Sequence, residues 1–196
     1  GDPSAGTFVG ALTNALADKD SRVCEAASFA LEQMGPAAQD AIPALAIAAT
    51  KTGTAGIEAC KVIDAVGEAS EKLVIGTGWT VRWTATRALG VVGSESETSL
   101  SPLMEALKDA EWQVRGVAAL ALGQHRAQVS AEVVSALSDS LKDEQAGVRM
   151  AAAIALGQLG PSAGAALATL QESTTDTEQR VREAVDAAIV KISGKG

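Results

Sequence analysis

The feature that most constrains this chain is a unit that recurs along it. Asp143 to Pro161 reads DEQAGVRMAAAIALGQLGP: a carboxylate, a Val-Arg pair, an Ala-rich run, then Gly157 and Gly160-Pro161. Alignment on the Val of the Val-Arg pair places anchors at Val23, Ile57 (or Glu58), Val81, Val114, Val148 and Val181, most of them 33 or 34 residues apart. A fixed period of this length signals a solenoid, whose units cannot bury their apolar faces alone and must stack.

Within the unit the periodicity is helical. Four residues after the anchor come Ala27, Ala85, Ala118, Ala152 and Val185, and seven and eight after it come pairs such as Ala121-Leu122 and Ala155-Leu156. Positions 0, +4, +7 and +8 share one helical face, so each unit ends in an amphipathic helix B. A second ridge lies upstream: Val9, Leu12, Leu16; Leu100, Leu103, Leu107; Val134, Leu137, Leu141; and Leu167, Leu170, Thr174. It predicts a helix A in the same unit. The 47% apolar content is mostly Ala, Leu and Val, small enough for close helix approach.

Lys and Arg total 16 against 24 Asp and Glu, a net charge of −8. That balance opposes nucleic acid, which needs a basic footprint, and anionic membrane surfaces. No run of 18 apolar residues suggests a span. The start, GDPSAG, has no charged region followed by an apolar one. A cytoplasmic location is the default expectation, with periplasmic and secreted locations left open. Cys24 and Cys60 form neither CxxC nor a metal spacing and read as small buried hydrophobes.

The pattern D-x-x-x-x-V-R-x-x-A-x-x-A-L-G-x-x-G-P resembles the HEAT repeat, specifically the short type also found in phycobilin lyases. The resemblance covers nearly the whole chain. It implies an all-α HEAT-like solenoid: a right-handed superhelix of about six antiparallel helix pairs, with helix A outside and helix B lining the concave face. The units are expected at 5–35, 36–67, 68–93, 94–126, 127–160 and 161–196, as one domain. Two depart from the pattern. Ile57-Glu58 replaces Val-Arg in the second, whose Pro43 should kink helix A. In the third, only residues 68–78 separate Gly67 from the next helix B, so its helix A should be cut to a turn or two around Glu71–Ile75, and the stack should bend between 67 and 79.

Asp109, Asp143 and Asp176 lie five residues before an anchor, as does Asp18; Arg115, Arg149 and Arg182 lie one after, as does Arg82. The Asp can accept N–H groups at the start of helix B, and each Arg can pair with an Asp of its own or the adjacent unit. This predicts a structural ladder of exposed pairs, worth about 0.2–1 kcal/mol each.

Chemistry is sparse. Some HEAT-repeat proteins are metal hydroxylases, which need several His ligands. This chain has one His, His125, expected in a solvated loop, so no metal and no catalytic residues are assigned. The Gly-Thr-Gly of 76–78 lacks the Lys of a phosphate loop and reads as a turn. HEAT-like DNA glycosylases use Trp and Asp in a basic groove; Trp79 and Trp83 are here, but the basic groove is not. Trp79, Trp83 and Arg87 fall on one stripe, and Trp112 occupies the Trp79 slot of the next unit. This group reads either as a partner-binding patch at the concave rim or as rings filling the space of the shortened helix A. Positions +2 and +6 add Phe29, Leu120, Met150 and Ile154 as concave contacts, with lateral packing between B helices as the alternative. The chain is therefore expected to be a non-enzymatic scaffold that takes another protein, without cofactor, on its concave face. A phycobilin lyase subunit or chromophore-binding chaperone is the alternative, and a DNA glycosylase ranks below both.

Overall fold

The structure is a computed structural model and describes residues 3–50, 78–125 and 130–194. Among the described residues, ten α-helices form five pairs: α1 Pro3–Ala15 with α2 Ser21–Met34, α3 Ile42–Thr50 with α4 Gly78–Val92, α5 Leu100–Ala106 with α6 Trp112–Gly123, α7 Ala131–Ser140 with α8 Ala146–Leu159, and α9 Leu167–Glu172 with α10 Gln179–Ser193. Even-numbered helices pack successively on one another as the B layer, and odd-numbered helices cover them as the A layer. No strand occurs among the described residues. The fold is an all-α repeat solenoid.

The apolar ridges predicted from spacing form the core. Val114, Ala118 and Leu122 on α6, and Val148, Ala152, Ala155 and Leu156 on α8, are all buried. They face Leu103, Leu137 and Leu170 of the A layer, each fully shielded from solvent. Gly35 and Gly160 end α2 and α8 with φ of 57°, which a Cβ would disfavour. Each starts a 3₁₀ segment, Gly35–Ala41 and Gly160–Ala166, that turns the chain into the next A helix. Residues Ala146–Thr175 are apolar enough on average to resemble a membrane span. However, Gly160 ends α8 after 14 residues, short of the roughly 20 that a span needs, and its apolar face is in the core.

Successive B helices approach to backbone contact. A Cβ on Gly90 would stand 2.5 Å from Cβ of Ala121, one on Gly123 would stand 2.4 Å from Cα of Ala155, and one on Gly157 would stand 3.0 Å from Cα of Ala188. These glycines occupy slot +9 of one unit and meet the +7 alanine of the next. They lie within helices or at a helix's last residue, where glycine is intrinsically unfavourable, so the close contact is what they provide.

The second unit differs from its sequence reading. The A helix seated on α4 is Ile42–Thr50, and α2 packs directly against α4. The segment GPAAQDAIPAL at 35–45 matches GPSAGAALATL at 160–170 in sequence and in backbone. Leu45 and Leu170 are equivalent and fully buried, yet 36 residues separate Leu45 from Val81 where 11 separate Leu170 from Val181. The described residues thus form five pairs where six units were expected. The anchor at Ile57 and the short helix near Glu71–Ile75 lie outside the described residues, as does most of the expected bend. Pro43 does not kink its helix. It is the second residue of α3, where a missing N–H costs nothing, and the non-helical backbone falls at Ala38 instead.

Gly123→Ala is expected to destabilise the fold by about 1–3 kcal/mol, because overpacking at the α6–α8 contact outweighs the gain in helix propensity. Gly116→Ala, whose Cβ would meet nothing within 4 Å, is expected to stabilise by about 0.5–1 kcal/mol. Denaturant melts of the two variants check this pair.

Candidate functional site

Among the described residues, the turns that lead into α2, α6, α8 and α10 are each built around an Asp. Asp109 Oδ1 accepts the Glu111 N–H at 2.9 Å, Asp143 that of Gln145 at 2.8 Å, and Asp176 that of Glu178 at 2.9 Å. The preceding unit's Arg then reaches the outer carboxylate edge. Arg82 Nε donates to Asp109 at 2.6 Å, and Arg115 and Arg149 donate to Asp143 and Asp176, both at 2.7 Å, with NH2 completing each fork at 2.9 Å. The NH1 groups of Arg115 and Arg149 donate to the carbonyls of their own units' Asp109 and Asp143, at 2.8 and 2.9 Å. The side chains of these pairs are only 9–15% exposed, so they are not the solvated contacts expected from sequence. The Arg149 guanidinium and the Glu178 N–H outweigh burial and hold the Asp176 carboxyl below its usual range. At Asp143, burial acts upward most strongly, yet Arg115, the Gln145 N–H and Arg149 together bring the net shift down.

The first junction departs from the ladder. Cys24 occupies the Arg slot, and its thiol donates to Asp18 O at 3.3 Å, as guanidinium NH1 groups do elsewhere. Slot +9 holds Glu32 rather than glycine. Its carboxylate receives Arg87 Nε at 2.8 Å and NH2 at 2.7 Å, from across the α2–α4 contact. The Arg87 guanidinium lies over the Trp83 ring at 4.7 Å and faces the Phe29 ring at 5.9 Å. Thr80 Oγ1 also donates to Glu25 across the same contact. The result is a cation held between two rings and fixed by a carboxylate. Phe29 is 53% exposed, so the cluster opens to solvent on the B layer.

The other residues singled out from sequence spread along this layer. Trp83, Leu120 and Met150 pack against the core with part of their surface open, and Ile154 and Trp79 are half-buried. Lateral packing and exposure therefore coexist in the +2 and +6 stripe. Trp112 is exposed and leans onto the next unit, its ring 3.1 Å from where a Cβ on Gly147 would sit. The vacancy proposed for the tryptophan rings loses its premise, because α3 fills the seat on α4. At the C-terminal ends of the B helices, Gly90, Ser94, Glu95, Gly123, Gln124 and Gln158 line a groove of about 530 Å³.

His125 is not solvated. It is 5% exposed, with Nε2 2.9 Å from Ser99 Oγ and 3.2 Å from Ser96 O. Because the carbonyl can only accept, the second contact requires the proton on Nε2. The loop 93–99 folds over the end of α6 and supplies these groups, a long-range closure that local sequence does not announce. Burial pushes the imidazole pKa down, and the Ser96 and Gly93 carbonyls oppose this more weakly.

Five stacked helix pairs with a repeated Arg–Asp ladder define an α-solenoid built from short helix-pair repeats. The HEAT repeats family matches residues 100–189, and the PBS lyase HEAT-like repeat family matches 81–109. Residues 81–189 thus carry HEAT-type repeats, with the short PBS lyase type matched at 81–109. Among solved structures, a chain in the complex of CpcE and CpcF of phycocyanin lyase from Nostoc sp. PCC7120 is similar, with a TM-score of 0.66 at 20% identity. That match covers 93% of this chain and 64% of the other, so this chain spans less than two thirds of its length. An engineered protein matches with a TM-score of 0.50 at 25% identity, over 96% of this chain and 97% of that one. At 20% identity the first likeness shows the fold alone. No curated protein matches the sequence.

Arg149→Ala is expected to cost about 2–3 kcal/mol, between the limits for exposed and fully buried pairs. Asp176→Asn keeps the acceptor for Glu178 N–H and removes the charge. The folded-state pKa of Asp176 is lowered, so its stabilisation is present above the ordinary carboxyl value of about 3.9 and is lost as pH falls through the folded value. The stability gap between wild type and Asp176→Asn should therefore narrow below about pH 4. For His125 the unfolded state binds the proton more readily, so stability should fall on acidification from about pH 6.5. In a urea-melt series between about pH 7 and 5, His125→Asn should lack that slope.

Proposed function

We propose that this chain is a non-enzymatic scaffold that receives a protein partner along the B-helix layer, anchored at the Phe29–Trp83–Arg87 cluster. One observation carries the reading. Arg87 is held by Glu32 and by two rings, so an exposed aromatic–guanidinium surface is rigid before any partner arrives. Aromatic and arginine side chains dominate binding hot spots, and an anchor already fixed in place loses little entropy on binding. The apolar parts of Leu120, Met150 and Ile154 continue the surface along the layer.

A second reading has its own support. The similar Nostoc chain belongs to a phycocyanin lyase and is seen as a complex of two proteins. A lyase-type subunit would also use a protein partner, with a linear tetrapyrrole as an additional ligand.

Phe29→Ala tests the cluster as the anchor, because the exposed ring contributes little to folding. A protein captured from the native host by the wild-type chain should bind the variant about tenfold or more weakly, a loss of roughly 2 kcal/mol typical of a hot spot. The melting temperature should be unchanged. Equal binding by both chains would reject the cluster as the anchor. A red-shifted absorbance on mixing with a free linear tetrapyrrole would favour the second reading.

A further inference from the structure

The Glu32–Arg87 pair is closed on one side and open on the other. Arg87 Nε and NH2 both donate to Glu32 Oε2, at 2.8 and 2.7 Å. Two donors on one oxygen leave Glu32 Oε1 and Arg87 NH1 over, and among the described residues neither has a hydrogen-bond partner. Both side chains keep solvent access, 32% for Arg87 and 17% for Glu32. The ladder arginines differ. Arg115 and Arg149 place NH1 on the carbonyls of their own turns, and the carboxylates they meet use both oxygens. The open donor and acceptor of Glu32–Arg87 belong to the α2–α4 contact, inside the described stack.

The surroundings restrict what can reach them. Trp83 lies against the guanidinium at 4.7 Å and Phe29 faces it at 5.9 Å, so the approach left is along its edge. The Nε–NH2 edge is occupied, which leaves NH1. The formal charges of Arg87 and Glu32 cancel. Glu25, the other carboxylate of this contact, already receives Thr80 Oγ1. An incoming carboxylate would meet Glu32 and Glu25 as like charges, and an incoming ammonium would meet Arg87. A neutral group that both accepts and donates meets neither penalty. A primary amide carries its C=O and one N–H on the same edge, whereas a trans peptide bond points the two in opposite directions. Its flat shape also suits the flanking rings.

We propose that the pair reads a side-chain amide of the partner, an Asn or Gln whose C=O accepts from Arg87 NH1 and whose N–H donates to Glu32 Oε1, beside Phe29 and Trp83. The inference rests on the reading of this cluster as the partner's anchor. It adds what the anchor selects, an amide-bearing segment in preference to an acidic or a basic one.

The NMR signals of Arg87 Nε–H and the Trp83 indole N–H report on the site without any partner protein. They are followed as acetyl-Ala-Gln-Ala-amide is added to about 50 mM, with the peptides bearing Glu, Lys or Ala at the centre as controls. The Gln peptide should saturate both shifts, and each control should bind about fivefold or more weakly. The all-Ala peptide separates a side-chain amide from the main-chain amides that every probe shares. Glu32→Gln replaces the open acceptor and leaves the guanidinium charge uncompensated, so the order should invert. The Glu peptide should then bind about fivefold or more tightly than the Gln peptide, while circular dichroism stays that of the wild type. A merely structural role for Glu32 would weaken all the peptides alike. Equal binding of the Gln and all-Ala peptides overturns the proposal. So does the absence of any shift at the two signals, or a Glu32→Gln chain that keeps the wild-type order. These outcomes concern the amide site alone, because the anchor reading is decided by Phe29→Ala and a captured protein.

Discussion

The structure depends on how closely one B helix can approach the next. At Gly90, Gly123 and Gly157 the missing side chain brings the backbone of one helix against an alanine of its neighbour. That spacing sets the reach of every other cross-unit contact. Arg82, Arg115 and Arg149, one residue after their anchors, each meet the next aspartate at 2.6–2.7 Å because the helices are this close. At these three junctions the ladder and the close packing of the B helices thus go with one repeated steric fact.

The two kinds of junction suit different tasks. At the glycine junctions backbone meets alanine directly, and the polar link lies in the nearly buried Arg–Asp pair at one end of the helices. The α2–α4 junction has no glycine in that slot and no arginine in the ladder position. Its interhelical link is Glu32–Arg87, stacked on Trp83 and Phe29 and open to solvent. Among the described junctions this is the irregular one, and the proposed anchor sits there.

Much of this was legible in the sequence, because period and burial are linked. Positions 0, +4, +7 and +8 of α6 and α8 are buried as their spacing requires, and the Asp and Arg slots meet as their recurrence suggested. The second unit is the least legible, because Ile57 stands 34 residues after Val23 and satisfies the period, although it brings neither the arginine nor the aspartate and lies outside the described residues. A signal was available: 35–45 and 160–170 share their Gly-Pro start, two alanines and the closing leucine in register, which assigns Ile42–Thr50 as an A helix and leaves a surplus of 25 residues before Val81. His125 was misplaced for another reason. Its burial comes from Ser96 and Ser99, more than 25 residues away, and no local pattern encodes that closure. The link between Glu32 and Arg87 spans 55 residues and is hidden by the same coincidence of period.

The central claim is that α2 lies directly against α4, so that the unit after the first is made of α3 and α4. A double-mutant cycle on Glu32 and Arg87, read by urea unfolding of Glu32→Gln, Arg87→Gln and the double variant, tests it most directly. Side chains in contact couple by about 0.5–3 kcal/mol, and for this half-buried pair the account expects about 1 kcal/mol. In a six-unit stack another B helix would separate the two residues. Losses that add to within about 0.3 kcal/mol would place them in separate, non-adjacent units and contradict the account.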